Sequence, residues 1–386
     1  MKLHTHQNGQ YGLQQMWCHF QTHEHIEMAP RVFNSLGYQT DILGKVHVGH
    51  RGGRRNGRLP HLTVGLRDPH RDETREGFGN DEDDVRDISA PDYRTADVEI
   101  PPFISDAPQL RTEFVEYYKS IGRMDLGVGL ILGELAKRDL DRNTLVIFVS
   151  DNGSPFLNSK TALYDTGARL PLLLRQPGGK PGVVNPSMVS LIDILPRCIE
   201  WARAQDSDIK TSNRGKSPPQ KGTSLLRALG DSDVLPSETW TQHVFGSHTF
   251  HEIQNYWPTR FMRNHRAFGM PARQTNPTPR EVMSGRRRLQ NHVYRRPEEL
   301  FDLEDDPEEV GNLAGRPEFE ALLRETQAEL EVWQYETDGP WLSRDGVSGM
   351  TTHAAQKLGV RLPARFDFEP KNPGSAAGPH WAPPFG

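Results

Sequence analysis

The stretch Leu145-Val146-Ile147-Phe148-Val149-Ser150-Asp151-Asn152-Gly153 decides the fold. Five apolar residues in a row, without polar alternation, read as a strand covered on both faces, as strands of parallel sheets are. The run stops at Asp-Asn-Gly, a turn sequence. Upstream, Phe114, Tyr117, Tyr118, Ile121, Met124, Val128, Ile131, Leu132 and Leu135 recur every three or four residues. That spacing predicts a long helix with one buried stripe, and a turn at Asp139–Asn143 separates it from the strand. Helix followed by buried strand is half of an α/β repeat, so the fold class is α/β.

Working outward, further strands are expected at 38–43, 61–66, 170–174 and 243–246, and helices at 28–36 and 189–203. Residues 204–223 are polar, contain Pro218-Pro219, and read as a surface excursion. Residues 72–110, with the acidic run Asp81-Glu82-Asp83-Asp84, read as a long ordered loop. Beyond 290, Glu299-Leu300-Phe301-Asp302-Leu303 looks like a short strand and Asp305–Glu309 a turn. Phe319, Leu322, Leu323, Leu330 and Trp333 mark an amphipathic helix. The expected organisation is an α/β domain over 1–270, a C-terminal subdomain with a small sheet and terminal helix over 271–345, and a loose tail over 346–386.

The chain has 386 residues, which suits one large domain or two ordinary ones. Apolar residues make up 35 %, beside 35 Gly and 30 Pro, so the protein is loop-rich with a small core for its length. A formal charge of −5 argues against nucleic acid as a partner. The cluster Arg51, Arg54, Arg55 and Arg58 reads first as a solvated glycine-rich loop, with a local anion site as the alternative. No apolar run reaches the ~18–20 residues that span a membrane. Cys18 and Cys198 form no disulfide framework. Met1 to His6 carry no apolar signal region, so the protein either stays inside the cell or begins upstream of this start, and the compartment is left open. Nine of the 16 histidines lie in the first 70 residues and none between 71 and 242.

In open α/β sheets, ligands bind outside the carboxyl ends of the strands. There the sequence places Lys45 and His47, then Asp68 and His70, then Asp151, Asn152 and Lys160, then His248 and His251. Each has a bland reading alone: a histidine after a strand is more often a surface or capping residue, and Asp68-Pro69 is an ordinary turn opening. Together they describe one edge. A carboxylate and an amide carbonyl suit Ca²⁺ or Mg²⁺, and lysines with histidines around them suit an oxyanion such as sulfate or phosphate. Read from the residues, this is a metal-assisted hydrolase of an anionic ester.

Several motifs carry a resemblance. Gly44-Lys45-Val46-His47-Val48-Gly49, Asp68-Pro69-His70-Arg71 and Val149-Ser150-Asp151-Asn152-Gly153 occur in that order, and Leu163-Tyr164-Asp165-Thr166-Gly167 precedes Leu170-Pro171-Leu172. The ordered set resembles type I sulfatases. Gln7-Asn8-Gly9 with Tyr11-Gly12-Leu13, Gly122-Arg123-Met124-Asp125, Val244-Phe245-Gly246-Ser247-His248 and Trp333-Gln334-Tyr335-Glu336-Thr337 point to the N-sulfoglucosamine-type branch. The resemblance implies an alkaline-phosphatase-like fold with a central, mostly parallel sheet and a small C-terminal α+β subdomain. It implies Ca²⁺ at Asp151 and Asn152, and Lys45 and His47 at the sulfate and nucleophile. His70 would face the leaving group or sulfate, Lys160 would bind sulfate, and His248 and His251 would touch the sugar. The implied partner is a sulfated glycosaminoglycan sugar; no nucleic acid or membrane is implied, and a homodimer is allowed.

The departures are specific. Sulfatases make a formylglycine from Cys or Ser in a Cys/Ser-x-Pro-x-Arg motif, and that motif is absent from this sequence, as are the paired aspartates that end the family's first strand. The connection from Gly49 to His61 is short, and likeness weakens over 266–289. The chain therefore reads as starting after the nucleophile segment, with a truncated or mis-spliced gene model favoured over a pseudo-enzyme. Covalent catalysis needs a positioned nucleophile, so weak Ca²⁺ binding and poor hydrolysis are expected. The alternatives are a non-catalytic sulfatase-like binding protein, or a phosphodiesterase or phosphatase of the alkaline-phosphatase superfamily.

Overall fold

The computed structural model of the chain describes residues 28–45, 59–72, 77–79, 91–160, 162–205, 222–225, 283–288, 291 and 299–336. Helix α1, Ala29–Ser35, starts with proline in its first turn and buries Val32 and Phe33. Gly37, at φ +86°, turns the chain into strand β1, Tyr38–Gly44. β1 runs parallel to β2, Leu59–Gly65, in a register from Tyr38 opposite Leu59 to Gly44 opposite Gly65. Both strands agree closely with the sequence expectation. Their carboxyl ends are packed backbone to backbone: a Cβ on Gly44 would lie 2.1 Å from the Gly65 carbonyl oxygen. Only glycine fits there, and Gly44 also sits at φ +78°, where glycine alone is unstrained. The Lys45 N–H then donates to the Gly65 oxygen at 2.7 Å, which fixes Lys45 at the edge where β2 also ends.

Helix α2, Pro108–Lys137, is the predicted amphipathic helix, entered by a first-turn proline. Its first turns bury Leu110 and Phe114 in a cluster with Phe78, Val98, Ile104 and Phe156. Phe114 and Phe156 stack at 4.2 Å. A second cluster joins α1 to helix α4, Ile194–Gln205, through Val32, Phe33, Leu36, Leu195, Ile199 and Ala202. Asp193 opens α4 by accepting the Ser190 and Thr223 N–H groups, both at 2.8 Å.

Strand β3, Val146–Val149, pairs antiparallel with β4, Leu172–Arg175, after a return that includes the short helix α3, Asp165–Ala168. The expectation of parallel, two-face burial for this strand is not met: Val149 is exposed, and so is Leu173 on β4. A continuous apolar run does not encode the direction of the neighbouring strand, and a return of some twenty residues can bring the chain back in either sense. The fold class holds, with helices, a parallel pair and antiparallel pairs in one α/β chain. Toward the C-terminus a hairpin of β5, Met283–Ser284, and β6, Arg287–Arg288, precedes helix α5, Glu320–Glu336.

The strand expected at Glu299–Leu303 is not formed. Asp302 instead turns the chain, its side chain accepting the Glu304 N–H and its carbonyl the Asp306 N–H, and such local bonds compete with a ladder. The expected strand at 243–246 lies outside the described residues. Among the described residues no helix is long and apolar enough to cross a membrane.

One half-buried histidine gives the fold a pH dependence. The His61 ring stacks on Phe33 at 4.0 Å, and burial pulls its pKa below the usual value. The folded chain therefore resists a proton that the unfolded chain accepts once pH falls through about 6.5. Stability is expected to drop as pH is lowered from about 7.5 to about 5.5, read as a denaturation midpoint. His61→Phe should remove that part of the slope; a slope identical in both proteins would assign it elsewhere.

Candidate active site

Lys45 and His70 follow the ends of the parallel pair, and Asp151 follows β3. The turn after β3 is closed by Ser150, whose N–H donates to the Pro171 oxygen at 3.2 Å and whose hydroxyl donates to the Asn152 oxygen at 2.8 Å. Gly153 comes next because nothing larger fits: a Cβ there would lie 2.6 Å from the Thr166 oxygen and 2.8 Å from Gly167 Cα. The loop then dives inward. Phe156, Leu157, Asn158 and Ser159 are all buried, with Phe156 seated in the aromatic cluster. Asn158, at φ +63°, donates from Nδ2 to the Phe103 oxygen at 3.1 Å. Ser159 donates to the Thr166 oxygen at 2.8 Å, and the Lys160 N–H returns to the Ser154 oxygen at 2.9 Å.

This geometry carries Lys160 into a mostly buried position. Burial pushes its ammonium pKa below the ordinary lysine value; the cations of Lys45 and Arg71 push the same way and Asp151 opposes them. The fold thus brings Lys45, Asp151 and Lys160 into one electrostatic neighbourhood, from positions as far apart as 45 and 160. Two lysines and an arginine gathered in this way are suited to holding an oxyanion.

His70 is oriented from its own loop. Its Nδ1 lies 2.7 Å from the Arg71 carbonyl oxygen. A carbonyl can only accept, so Nδ1 holds the proton, and Nε2 is where a second proton can be carried. The preceding Asp68 accepts Arg123 Nε at 2.8 Å and Nη2 at 3.3 Å, a bidentate pair in which both side chains are almost wholly buried. Arg123 also donates to the Phe78 oxygen, so α2 holds the loop that carries His70. Arg71 pairs with Glu113 on the same helix, donates to the Pro155 oxygen at 3.3 Å and lies 4.7 Å from the Phe78 ring centre.

His47, His248 and His251 lie outside the described residues. Arg71 and Arg123 were given no role by sequence reading, although both stand in the quoted stretches Asp68–Arg71 and Gly122–Asp125. Their neighbours in sequence signalled them; their partners, 42 and 55 residues away, did not.

The donors for a divalent cation are few. Asp151 is exposed, and Asn152 uses its Nδ2 on the Gly153 oxygen at 2.9 Å. Among the described residues no three His, Cys, Asp or Glu side chains converge as a metal site requires. Two oxygens fall short of the ~6–8 that Ca²⁺ takes, so the described residues alone do not fit the ion.

The model of the Sulfatase family matches residues 60–204. N-sulphoglucosamine sulphohydrolase of Homo sapiens is 32 % identical over 414 residues, spanning 89 % of this chain and 81 % of its own. The chain belongs to the sulfatase family. A more distant sulfatase, an ulvan-active sulfatase of Formosa agariphila, is 26 % identical over 263 residues, and the chain covers only 43 % of it. A solved structure of a 2-O GAG sulfatase superposes with a TM-score of 0.53 at 15 % identity, over 99 % of this chain and 86 % of its own. That likeness is one of fold, the alkaline-phosphatase-like fold of sulfatases.

The buried pair gives a sulfatase-site prediction that needs no substrate. Asp68→Ala leaves the Arg123 charge buried without its carboxylate and should cost about 3–5 kcal/mol, measured by denaturant unfolding. Breaking the exposed pair Lys137–Glu134 should leave the unfolding midpoint almost unchanged. Equal small costs would show that the Asp68–Arg123 pair does not hold the loop.

Proposed function

We propose that the cluster around Lys160 is the sulfate site of a sulfuric ester and sulfamate hydrolase directed at N-sulfated glucosamine in glycosaminoglycans. The observation that carries this reading is a mostly buried lysine set among Lys45, Arg71 and Asp151, on a chain of the sulfatase family whose human relative is named for N-sulphoglucosamine. Lys45 and Lys160 take the sulfate oxygens. His70, its Nδ1 proton held by the Arg71 carbonyl, turns Nε2 to the leaving nitrogen as its proton donor. His47 stands beside Lys45 in sequence and belongs to the sulfate end. His248 and His251 meet the sugar, and Asp151 with Asn152 supplies too few oxygens to hold Ca²⁺ without further ligands.

The family generally uses formylglycine as nucleophile together with a divalent metal. This sequence contains no Cys/Ser-x-Pro-x-Arg motif, and that favours a second reading for the polypeptide as it stands: a sulfated-sugar binding protein with little or no turnover. A phosphatase reading is weaker, because the stretch after Asp151-Asn152-Gly153 follows sulfatases.

The test uses the full chain. Inorganic sulfate should bind, and Lys160→Met should weaken that binding by about ten- to a hundredfold, the worth of one charged hydrogen bond; Lys180→Met, on an exposed loop, should leave it unchanged. Aryl sulfate should be hydrolysed slowly if at all, and aryl phosphate no faster. Brisk aryl sulfate turnover that disappears in Asp151→Ala would overturn the binding-only reading. Sulfate affinity indifferent to Lys160 would overturn the site itself.

A further inference from the structure

The segment Glu299–Glu309 stands far along the chain from every residue of the site, yet three of its side chains meet at Tyr164 and Asp165, four and five residues after Lys160. Glu309 accepts the Asp165 N–H on Oε2 at 3.0 Å, at the first turn of α3. The same oxygen accepts Arg287 Nη2 at 2.9 Å, and both side chains of that pair are buried. The Arg287 guanidinium lies over the Tyr164 ring at 3.6 Å, Phe301 meets the ring edge-on at 6.0 Å, and Glu299 accepts the Tyr164 hydroxyl at 3.4 Å. Arg287 Nε is in turn held by the Glu308 oxygen at 2.8 Å.

This grip reaches the site through hydrogen bonds. Thr166, next to Asp165, donates to the Asn158 oxygen at 2.5 Å and accepts Ser159 Oγ at 2.8 Å. Gly167 is pressed against the same loop: a Cβ there would lie 2.3 Å from both the Ser159 and Ala162 oxygens. Any shift of 164–167 must therefore move 158–160. Glu309 itself occupies left-handed backbone, φ +52°, a strained place for a side chain that large. Burial raises its carboxyl pKa, while the Asp165 N–H and Arg287 hold it down. A strained, buried carboxylate persists where its surroundings hold it in place.

We infer that Glu309, with Arg287, is a positioning residue: the C-terminal segment clamps Tyr164-Asp165 and so fixes the loop that presents Lys160. The clamp stands on its own geometry; its consequence for anion binding rests on the sulfate-site reading above.

The experiment compares the full chain with Glu309→Ala, Glu309→Gln and Arg287→Met by three readouts. Amide hydrogen exchange over 154–168 should accelerate at least about tenfold in Glu309→Ala, local opening there being freed from its tie, while 108–137 exchanges as before. Lys160 should be modified faster by an amine reagent, with exposed Lys180 unaffected. Sulfate affinity should fall by about tenfold, the usual scale for removing a supporting residue. Glu309→Gln should lie between, since its amide oxygen still accepts the Asp165 N–H. Exchange that is unchanged over 154–168, or that rises equally over 108–137, overturns the clamp. Faster exchange with unchanged Lys160 modification overturns its link to the site. Should the unaltered chain bind no sulfate, the sulfate-site reading fails alone, and exchange with Lys160 modification still decides the clamp.

Discussion

Keeping the Lys160 ammonium mostly out of water is the constraint on which the rest of this structure depends. Taking an ammonium from water costs several kcal/mol unless charge or hydrogen bonds replace what water gave, and two of the charges around Lys160 are themselves cations. Desolvation of Lys160 taken by itself opposes the inward path of the loop from Gly153 to Lys160. What holds it in is apolar and backbone work done elsewhere. Phe156 is fully buried against Phe114, and truncating a side chain buried that well typically costs about 3–5 kcal/mol. Two glycines let the strands of loop 153–167 touch, and a ring of backbone-directed hydrogen bonds closes it.

The same logic explains why arginines, rather than lysines, support the site. Arg71 and Arg123 each bridge a loop to α2 while also donating to a backbone carbonyl. A planar guanidinium can serve a carboxylate and a carbonyl at once and still lie on an aromatic face, as Arg71 does on Phe78. A lysine in either place would leave at least one partner without a donor.

How much of this was legible in the sequence follows from what sequence patterns encode. Periodicity reports which residues of a segment face a core, so α2 and the span of β3 could be read directly, and β1 and β2 nearly so. It does not report a partner. The antiparallel pairing of β3 with β4 depended on contacts that no local pattern carries, and the irregular path of Glu299–Leu303 on the turn bonds of Asp302 to Glu304 and Asp306, which apolar periodicity does not register. That Lys45, Asp151 and Lys160 would share one neighbourhood was legible because each comes after a predicted strand, a position with its own physical meaning. Arg71, Arg123 and Glu309 were not, because their significance lies in partners 42, 55 and 144 residues away.

On the proposed sulfate-site reading, binding and turnover rest on different groups for a physical reason. Arg71 is matched by Glu113, and Lys45 and Lys160 add two further cations near the Asp151 carboxylate. Such an excess attracts any sulfate group, and a free sulfate dianion more strongly than the singly charged sulfamate on a sugar. Binding substrate and product alike adds nothing to turnover unless the transition state is held more tightly than either. In a sulfatase that bias comes from the nucleophile, which converts the held group into something the cations stabilise only in passing. On the proposed sulfate-site reading, the cations alone favour a ground-state complex, and free sulfate is the natural competitor of a sulfated sugar at Lys160.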